Sequence, residues 1–417
     1  MTRTLQRPAP GRGWRYSDTG LAKLTVILGL VGVVLLGGTG ALLVSGSNSP
    51  LAAVTDVGPE PTPAPTVGIA LAGAQGDTVP WERPLTLAIT DGTLTSVSAT
   101  GPDGLALAGT LEPQRWTGST TLIPGKTYTL HAEVKDNDGK TSTIDRTLKA
   151  AAATEVLHAL LSPAGGVFGI GQAVIVRFDH KVKSAAARTA VLTRLQVTTA
   201  PAAVGAWRWY NSFEVHYRGP VYWKPGTKIT TTANLAGLRV PGTKVWGSDK
   251  PVTRDYVIGD SFIGTVDVTA HILTVRINGK VARTIKVSTG RDKYPTKGGV
   301  HIVLLREKEH LYNSATVGIP TGSPDGYYEK LPWSVRISNG GAFVHANPGT
   351  VRVQGVRNVS HGCVNTSVED AKWFYEHSHL GDIVNVIHAA VGPLKSDAGM
   401  SDWNYTWAEW KAGNLNG

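Results

Sequence analysis

Cys363 is the residue best suited to covalent chemistry, and it is the only cysteine in a chain of 417 residues. It lies among small and polar neighbours, in residues 360–365, which read SHGCVN. A thiol needs a base to become a thiolate near neutral pH, because its pKa is roughly 8.5. An imidazole is the usual base, and it need only be close in space. The short apolar segment 342–344 ends at His345, so we predict that His345 is the base and Cys363 the nucleophile.

The two residues also belong to a longer pattern. His345, followed some way downstream by Ser-His-Gly-Cys-Val-Asn at residues 360–365, resembles the signature of the L,D-transpeptidases with a YkuD-type catalytic domain. Every position of that core motif matches. The resemblance covers residues 258–389, and what precedes and follows resembles the flanking parts of exported members of the family.

The resemblance implies acyl transfer through a thioester. The thiolate of Cys363 would attack the bond between the third and fourth residues of a peptidoglycan stem peptide and release D-Ala. An amine of a neighbouring stem would then form a 3→3 cross-link. The implied partners are peptidoglycan stem peptides, with carbapenem β-lactams as inhibitors, and no metal or cofactor is expected. The implied processes are peptidoglycan synthesis, cell-wall organisation and maintenance of cell shape.

The resemblance also suggests roles for residues around the thiol. Residues 306–341 resemble the lid that covers the active site in this family, and within them Tyr327 matches the lid tyrosine to which the family assigns a hydrogen-bond donor role. We expect the backbone N–H groups of Gly362 and Cys363 to bind the oxyanion, because glycine permits close approach. His361 is assigned to shaping the loop, and is the second choice for the base. Asn365 is expected to hydrogen-bond the loop. The remaining candidate substrate contacts are Ser360, Ala346, Trp333 and Tyr312.

Two positions depart from the family pattern. A serine often follows the base histidine, and its backbone carbonyl orients the imidazole; here that position is Ala346, which keeps the carbonyl. An aromatic residue is common before Gly318, where this chain has Val317. We therefore expect the lid contacts with substrate to differ, while the nucleophile is unaffected.

Other chemistries remain open at this stage. A cysteine peptidase would use the same dyad, although papain-like enzymes place the cysteine before the histidine in sequence. A metal site could be built from His345, His361 and Cys363, although zinc sites usually need four ligands or three and a water. A serine transpeptidase of the penicillin-binding class is disfavoured because no Ser-x-x-Lys occurs. The non-enzymatic alternative is a wall-bound structural protein with a vestigial catalytic domain, which a carbapenem would not label.

The N-terminal region predicts export. Residues 24–44 are a run of 21 residues without a charged side chain, which is long enough to span a bilayer as a helix. The preceding residues 1–23 contain an excess of basic side chains, which favours a cytoplasmic N-terminus. We expect an uncleaved single-pass anchor with the catalytic part facing the cell wall, and a cleaved signal peptide is the alternative. A proline-rich linker at residues 45–66 would follow.

Charge and cysteine content agree with an exported protein. The net charge of +10 suits either a solvated basic surface or attraction to an anionic envelope. Nucleic-acid binding is disfavoured, because the basic residues are scattered and the sequence has no zinc-ligand spacing or aromatic RNA-binding signature. A single thiol cannot form an internal disulfide, so its place in the motif indicates a reactive group.

Alternating side chains predict a mainly β fold. Leu85, Leu87 and Ile89 alternate with polar or small residues, and turn signals recur at short intervals. This pattern predicts two immunoglobulin-like β-sandwiches followed by a β-rich YkuD-type catalytic domain with one or two helices. We expect the sandwiches to act as a spacer. The expected ranges are 67–151 and 152–257 for the sandwiches, 258–389 for the catalytic domain, and 390–417 for a Trp-rich tail that packs near it.

Two local signals lie inside the expected catalytic domain. Asn278-Gly279 stands between two alternating runs and predicts a hairpin. Ser367 can cap a helix over residues 368–379.

One aromatic cluster has two interpretations. Five aromatic side chains in the second module could form a glycan-binding stripe, or could be core residues with an interdomain contact. They are Trp207, Trp209, Tyr210, Tyr222 and Trp223.

Overall fold

The computed structural model describes residues 67–393, 395, 401–413 and 415. The predicted membrane anchor at residues 24–44 and the linker at 45–66 lie outside these residues. Within the described ranges, no helix combines the length and apolar character that a membrane span requires.

Two sheets form the first module, and their strands contain the predicted alternation. The sheet orders are β1-β3-β6-β5 and β2-β8-β7-β4. Leu85, Leu87 and Ile89 of β3 are buried, as expected, and Trp81 and Trp116 fill the core. The strands are β1 (Gly68–Leu71), β2 (Thr78–Val79), β3 (Pro84–Thr90), β4 (Gly92–Thr100), β5 (Gly109–Glu112), β6 (Arg115–Thr121), β7 (Thr127–Asp136) and β8 (Thr141–Ala150).

The second module is also a sandwich. Its main sheets have the orders β10-β12-β15-β14 and β11-β18-β16-β13, and β9 pairs with β17. One helix, α1 (Ala185–Leu192), starts at the Ser184 cap. The strands are β9 (Val156–Leu157), β10 (Ala159–Ser162), β11 (Val167–Phe168), β12 (Val174–Phe178), β13 (Leu195–Ala200), β14 (Ala206–Asn211), β15 (Glu214–Arg218), β16 (Lys228–Ala233), β17 (Trp246–Gly247) and β18 (Val252–Ile258).

The aromatic cluster of the second module is largely internal. Trp209 and Trp223 are buried in its core, and Tyr222 packs edge-on against Trp403 of the tail with ring centroids 4.6 Å apart. Trp246 reaches into the core of the first module, where its ring lies 5.6 Å from Trp81. These contacts support the core and interdomain interpretation over a glycan-binding stripe.

The catalytic region contains two sheets, one α-helix and two short 3₁₀ helices, Ser314–Val317 and Pro348–Val353. The sheet orders are β21-β20-β19-β27-β22 and β23-β24-β25-β26. Helix α2 (Val368–His377) starts at Ser367, whose hydroxyl accepts the N–H of Asp370, as the sequence predicts. The strands are β19 (Phe262–Asp267), β20 (Ile272–Ile277), β21 (Lys280–Lys286), β22 (Gly299–Ile302), β23 (Leu305–Asn313), β24 (Tyr328–Arg336), β25 (Phe343–Ala346), β26 (Val364–Thr366) and β27 (Ile383–Ile387).

The turn between β20 and β21 follows the sequence signal closely. Asn278 and Gly279 both have positive φ, at 49° and 82°. Ile277 pairs with Lys280, so the loop has two residues, as Asn-Gly hairpins require.

Backbone hydrogen bonds join the second sandwich to the catalytic region. The N–H groups of Gly169 and Gly171 donate to the carbonyls of Leu380 and Gly381, at 2.8 and 2.9 Å. A Cβ on Gly169 would lie only 2.2 Å from the backbone nitrogen of Asp382, so this approach needs glycine. Ile302 and Ile383 of the catalytic region pack into the core of the second sandwich. We refer to these contacts as the joint.

The tail packs on the second sandwich and also on the catalytic region, where the side chain of Asn404 exchanges two hydrogen bonds with the backbone of Val300 at 2.8 and 3.0 Å. The expected contact with the catalytic domain is therefore present, and the contact with the sandwich is additional. Trp410 of helix α3 (Trp407–Ala412) is fully buried and donates to the carbonyl of Ala206 at 2.8 Å. Arg218 lies over the rings of Trp403 and Trp410, with centroid distances of 4.5 and 4.4 Å. A pattern of tryptophans predicts burial but not the partner surface.

A buried charge network fixes the tail. His216 has no exposed surface, and its two ring nitrogens lie 2.7 Å from Glu214 and 3.0 Å from Asp402 of the tail. Tyr210 donates to Asp402 at 2.6 Å. Burial alone would lower the pKa of His216, but the carboxylates of Asp402 and Glu214 raise it to about 9. His216 is therefore a buried cation between two acids.

Candidate active site

Strand register places the candidate base and nucleophile on one face. Strands β25 and β26 are parallel, with Val344 opposite Val364 and His345 opposite Asn365. Both valines are buried in the catalytic core, so their neighbours His345 and Cys363 point to the other face. Two segments that are remote in sequence thus contribute the dyad to one side of one sheet.

His345 is held as a neutral imidazole. Its side chain is buried, and Nδ1 lies 2.9 Å from the carbonyl oxygen of Ala346, which can only accept. The proton is therefore on Nδ1 and the lone pair on Nε2. Burial lowers the pKa of His345 to about 4, and the carbonyl of Ala346 opposes this shift. The carbonyl expected to orient the imidazole is in place, despite the departure from serine.

Cys363 is a neutral thiol at rest. Its Sγ lies 3.7 Å from the carbonyl oxygen of Gly341, and it is partly exposed. Burial raises the pKa of the thiol to about 11, although the N–H of Phe343 counteracts this. Across residues 67–393, no hydrogen bond connects this thiol with His345. The resting pair is therefore thiol and imidazole, and not thiolate and imidazolium.

The hydroxyl of Ser360 organises the motif loop. It donates to the carbonyl of Cys363 at 2.6 Å and accepts the N–H of Gly362 at 3.1 Å. Thr296 closes the other side by donating to the carbonyl of Gly362 at 2.9 Å. In this arrangement the N–H of Gly362 is already bonded, so the structure does not present it as the expected oxyanion donor. Gly362 instead supplies the backbone shape, with φ of +119°.

Asn365 is bonded through its backbone and not its side chain. Its N–H and carbonyl pair with Ser288, at 2.9 and 3.0 Å. The side chain is buried, and Oδ1 has no hydrogen-bond partner among the described residues. The prediction that this residue ties the loop holds for the main chain only.

The three aromatic candidates in the lid, Tyr327, Tyr312 and Trp333, lie in three different places. Tyr327 packs in a small cluster with Cys363, and burial raises the pKa of its hydroxyl to about 12, so the hydroxyl keeps its proton. Tyr312 is buried, donates to Ser334 at 2.9 Å, and has its ring 4.7 Å from that of His345. It forms the wall behind the base, and its hydroxyl is not free to contact substrate.

Trp333 is directed elsewhere. Its ring lies 5.4 Å from Tyr375 of α2, and the ammonium of Lys372 lies 5.6 Å from the ring. Its backbone has φ of +53°, which is unusual for a large side chain. The structure does not bring Trp333 to the dyad, because it packs on the helix instead of the substrate face.

His361 is held by groups that the sequence reasoning missed. The guanidinium of Arg291 lies 2.9 Å from its Nε2, and Arg291 also pairs with Asp325 of the lid. The rings of Tyr294 and Tyr327 flank the imidazole at 4.9 and 5.0 Å. Burial and the Arg291 cation lower the pKa of His361. The cluster of Arg291, Lys293 and Tyr294 was visible in the sequence. Its partner Asp325 lies 34 residues after Arg291 and gave no local signal.

The described residues contain no group of three or more His, Cys, Asp or Glu arranged to hold a metal ion. The Nε2 lone pair of His361 is also already used by Arg291. The site geometry therefore gives no support to the alternative metal site built from His345, His361 and Cys363.

Known families match both the catalytic region and the part of the chain before it. Residues 261–386 match the family model for the L,D-transpeptidase catalytic domain, and residues 76–239 match the model for a bacterial Ig domain. L,D-transpeptidase 2 of Mycobacterium tuberculosis is 37% identical over 345 residues, which cover 82% of this chain and 83% of that protein. L,D-transpeptidase 5 of the same species is 30% identical, over 84% of this chain and 77% of that protein.

One solved structure resembles a shorter stretch of this chain. The structure of LD transpeptidase LdtMt1 in complex with imipenem is 32% identical, covers 55% of this chain and 98% of that chain, and has a TM-score of 0.48. The mainly β fold, with an Ig-like region before a YkuD catalytic domain, is as expected from the sequence. By its sequence relatives and its catalytic domain, this chain belongs to the L,D-transpeptidase family and is an enzyme of that family.

Proposed function

We propose that this enzyme forms 3→3 cross-links in peptidoglycan through a thioester on Cys363. The observation that carries the proposal is the placement of the single thiol and the Nε2 lone pair of His345 on one face of β25 and β26. The tautomer of His345 leaves that nitrogen ready to accept a proton. Membership of the family supplies the type of reaction.

The first half-reaction transfers the stem peptide to the enzyme. The thiol proton moves to Nε2 of His345 as Sγ attacks the carbonyl carbon of the third stem residue. The C–N bond to the fourth residue then breaks, the proton passes from His345 to the departing nitrogen, and D-Ala leaves. Because the resting pair is neutral, proton transfer accompanies attack instead of preceding it. This order confines the reactive thiolate to the complex with donor.

The second half-reaction regenerates the enzyme. An amine of a neighbouring stem attacks the thioester, loses a proton to His345, and forms an amide as the C–S bond breaks and the thiol recovers its proton. Each tetrahedral oxyanion needs a preorganised donor. The phenol of Tyr327 suits this role, because it remains protonated and packs in the cluster that contains Cys363.

The test is intact-mass spectrometry of the protein with a disaccharide-tetrapeptide donor. We expect an adduct that equals the donor minus D-Ala, absent from Cys363→Ala. Carbapenem labelling of the same thiol is a second test, because a ring-opened β-lactam would stay as a thioester. An adduct on Cys363→Ala, or a folded wild-type protein that neither reagent modifies, would rule out the proposed nucleophile. The latter result would favour a structural wall protein with a vestigial domain.

We also propose a cell-membrane location with the catalytic part facing the wall. The uncharged run at residues 24–44 and the basic residues before it support an uncleaved anchor. The two sandwiches would then hold the catalytic region away from the bilayer. Protease treatment of intact spheroplasts tests this: residues after the run should be cut while the N-terminus stays protected. Release of a mature protein that lacks the run would instead indicate a cleaved signal.

A further inference from the structure

One guanidinium connects the lid to the catalytic motif. The Nη2 atom of Arg291 contacts the carboxylate of Asp325 in the loop before β24, and lies 2.9 Å from Nε2 of His361. The backbone of Arg291 is bound to the motif as well, because its N–H donates to the carbonyl of Ser360 at 3.0 Å. A displacement of the lid loop therefore alters the surroundings of His361 directly.

The lid carboxylate is fully engaged by one short segment. While one oxygen of Asp325 takes Arg291, the other lies 2.5 Å from the ammonium of Lys293 and 3.0 Å from the hydroxyl of Tyr294. The ammonium and guanidinium lower the pKa of Asp325. The carboxylate thus has three donors within four consecutive residues, an arrangement beyond a single surface ion pair.

The same contact fixes the tautomer of His361. An arginine remains charged and only donates, so Nε2 of His361 must be the acceptor and Nδ1 must bear the proton. Titratable side chains from three segments surround His361. They are Arg291, Lys293 and Tyr294 from the segment after β21, Asp325 and Tyr327 from the lid, and Cys363 from the motif. With its lone pair occupied by Arg291, His361 is not available as the base.

We propose that Arg291 and Asp325 form a latch that holds the lid closed and positions His361 and Tyr327 beside Cys363. Only Gly326 separates Tyr327 from Asp325, so the contacts that fix the carboxylate of Asp325 also restrict the position of the Tyr327 phenol. Arg291 is a positioning residue, because it acts through His361. Its consequence for catalysis rests on the proposed function, whereas its effect on the His361 tautomer does not.

The direct test is the tautomer of His361, measured from the ¹⁵N shifts of selectively labelled protein. The wild type should show His361 with a protonated Nδ1 and an unprotonated Nε2. In Arg291→Gln the amide no longer supplies a charge, and the neutral tautomers should mix while the pKa of His361 rises. Asp325→Asn should produce a smaller change in the same direction. An identical His361 spectrum in Arg291→Gln and wild type would overturn the positioning role.

The second test measures acylation by the disaccharide-tetrapeptide. Asp325→Asn should lower kcat/KM by about three- to tenfold, mostly through kcat, because an unlatched lid misplaces Tyr327. Asp325→Glu should recover part of the loss. The matched control is Glu309→Gln, which removes a 2.6 Å pair with Lys330 in the same hairpin without touching the motif. Equal losses in Asp325→Asn and Glu309→Gln would reduce the latch to general support of the hairpin.

Failure of this inference is distinguishable from failure of the proposed function. Alkylation of Cys363 by iodoacetamide and the His361 spectrum both report on the latch without peptidoglycan. If the donor never acylates the wild type but Arg291→Gln still changes the His361 tautomer, the latch stands and the proposed reaction falls. Melting curves for all variants identify any that fail to fold; if Arg291→Gln is among them, Asp325→Asn, which removes the other half of the latch, replaces it in the tautomer measurement.

Discussion

The hydroxyl of Ser360 donates to the carbonyl oxygen of Cys363 across a distance of 2.6 Å. Because the hydroxyl oxygen of Ser360 also accepts the N–H of Gly362, one side chain closes the loop on which the thiol is held. The nucleophile is therefore oriented by a hydroxyl three residues before it, and not by its own side-chain contacts.

Removal of this hydroxyl should loosen the thiol. We expect Ser360→Ala to lower the free energy of unfolding by about 1–3 kcal/mol, since it leaves two partly buried backbone groups unpaired. The rate of acylation should fall by more than this loss of stability alone would cause. Ser360→Thr keeps the hydroxyl and serves as the control. Denaturant unfolding and acylation kinetics check the pair, and equal activity in the alanine and threonine variants would contradict the role.

Gly362 should resist substitution because of its backbone. The nearest atom to an added Cβ is 3.9 Å away, so the site has room, but φ is +119°. We expect Gly362→Ala to cost about 1–3 kcal/mol of stability through backbone strain and to reduce acylation. Gly322→Ala is a suitable control, because Gly322 has open space and no positive φ. A fully active, equally stable Gly362→Ala would disprove the requirement.

The pKa values of the dyad predict how thiol reactivity depends on pH. With the pKa of Cys363 raised to about 11, alkylation by iodoacetamide should continue to accelerate up to that pH, without a plateau near neutrality. His345→Ala should leave this profile almost unchanged, since the imidazole is neutral at rest. The same variant should lower donor acylation by about 10²–10⁴-fold, whereas His361→Ala should cost far less. A plateau near neutral pH would indicate a resting thiolate.

The tail should detach at alkaline pH. The folded-state pKa of His216 is about 9, above its usual value of 6.5, so its contribution to stability is complete below about pH 6.5, declines above it, and is lost once the pH has risen through about 9. Limited proteolysis of the tail should therefore become faster above that pH. His216→Gln should remove the pH dependence and expose the tail at neutral pH. Tail cleavage at a constant rate across this range would argue against a buried cation.

The joint alters the expectation for an isolated catalytic fragment. Treating the sandwiches as a spacer predicts that residues 258–417 keep acylation in vitro. The fragment would, however, expose Ile302, Ile383 and Trp410, which pack on the second sandwich. We expect residues 152–417 to be acylated like the longer protein, and residues 258–417 to melt at a lower temperature. Equal melting temperatures for the two fragments would restore a purely passive spacer.

Short-range patterns in the sequence predicted much of the fold. The alternation at Leu85, Leu87 and Ile89, the Asn278-Gly279 turn and the Ser367 cap each depend on residues a few positions apart. Local rules of pleat, turn and cap are sufficient for such features. The histidine and cysteine motifs were recognised differently, through their resemblance to a known family.

Contacts between distant segments were beyond the reach of these patterns. Nothing near Asp325 indicates that it pairs with Arg291, and nothing near Trp410 indicates a site on the second sandwich. The expected oxyanion role of Gly362 ignored the hydroxyl of Ser360, whose rotamer decides which N–H is free. The expected contacts of Trp333 and Tyr312 ignored which face of the lid each residue occupies.

The joint also determines how a force on the second sandwich is transmitted to the catalytic region. Hydrogen bonds from Gly169 and Gly171 enter the turn that leads directly into β27, and β27 lies between β19 and β22 in the catalytic sheet. A pull on the second sandwich would thus load the backbone of the catalytic sheet instead of stretching a tether. The second sandwich and the catalytic region would therefore rotate together as one rigid unit, and the orientation of the active site would be fixed relative to the sandwich.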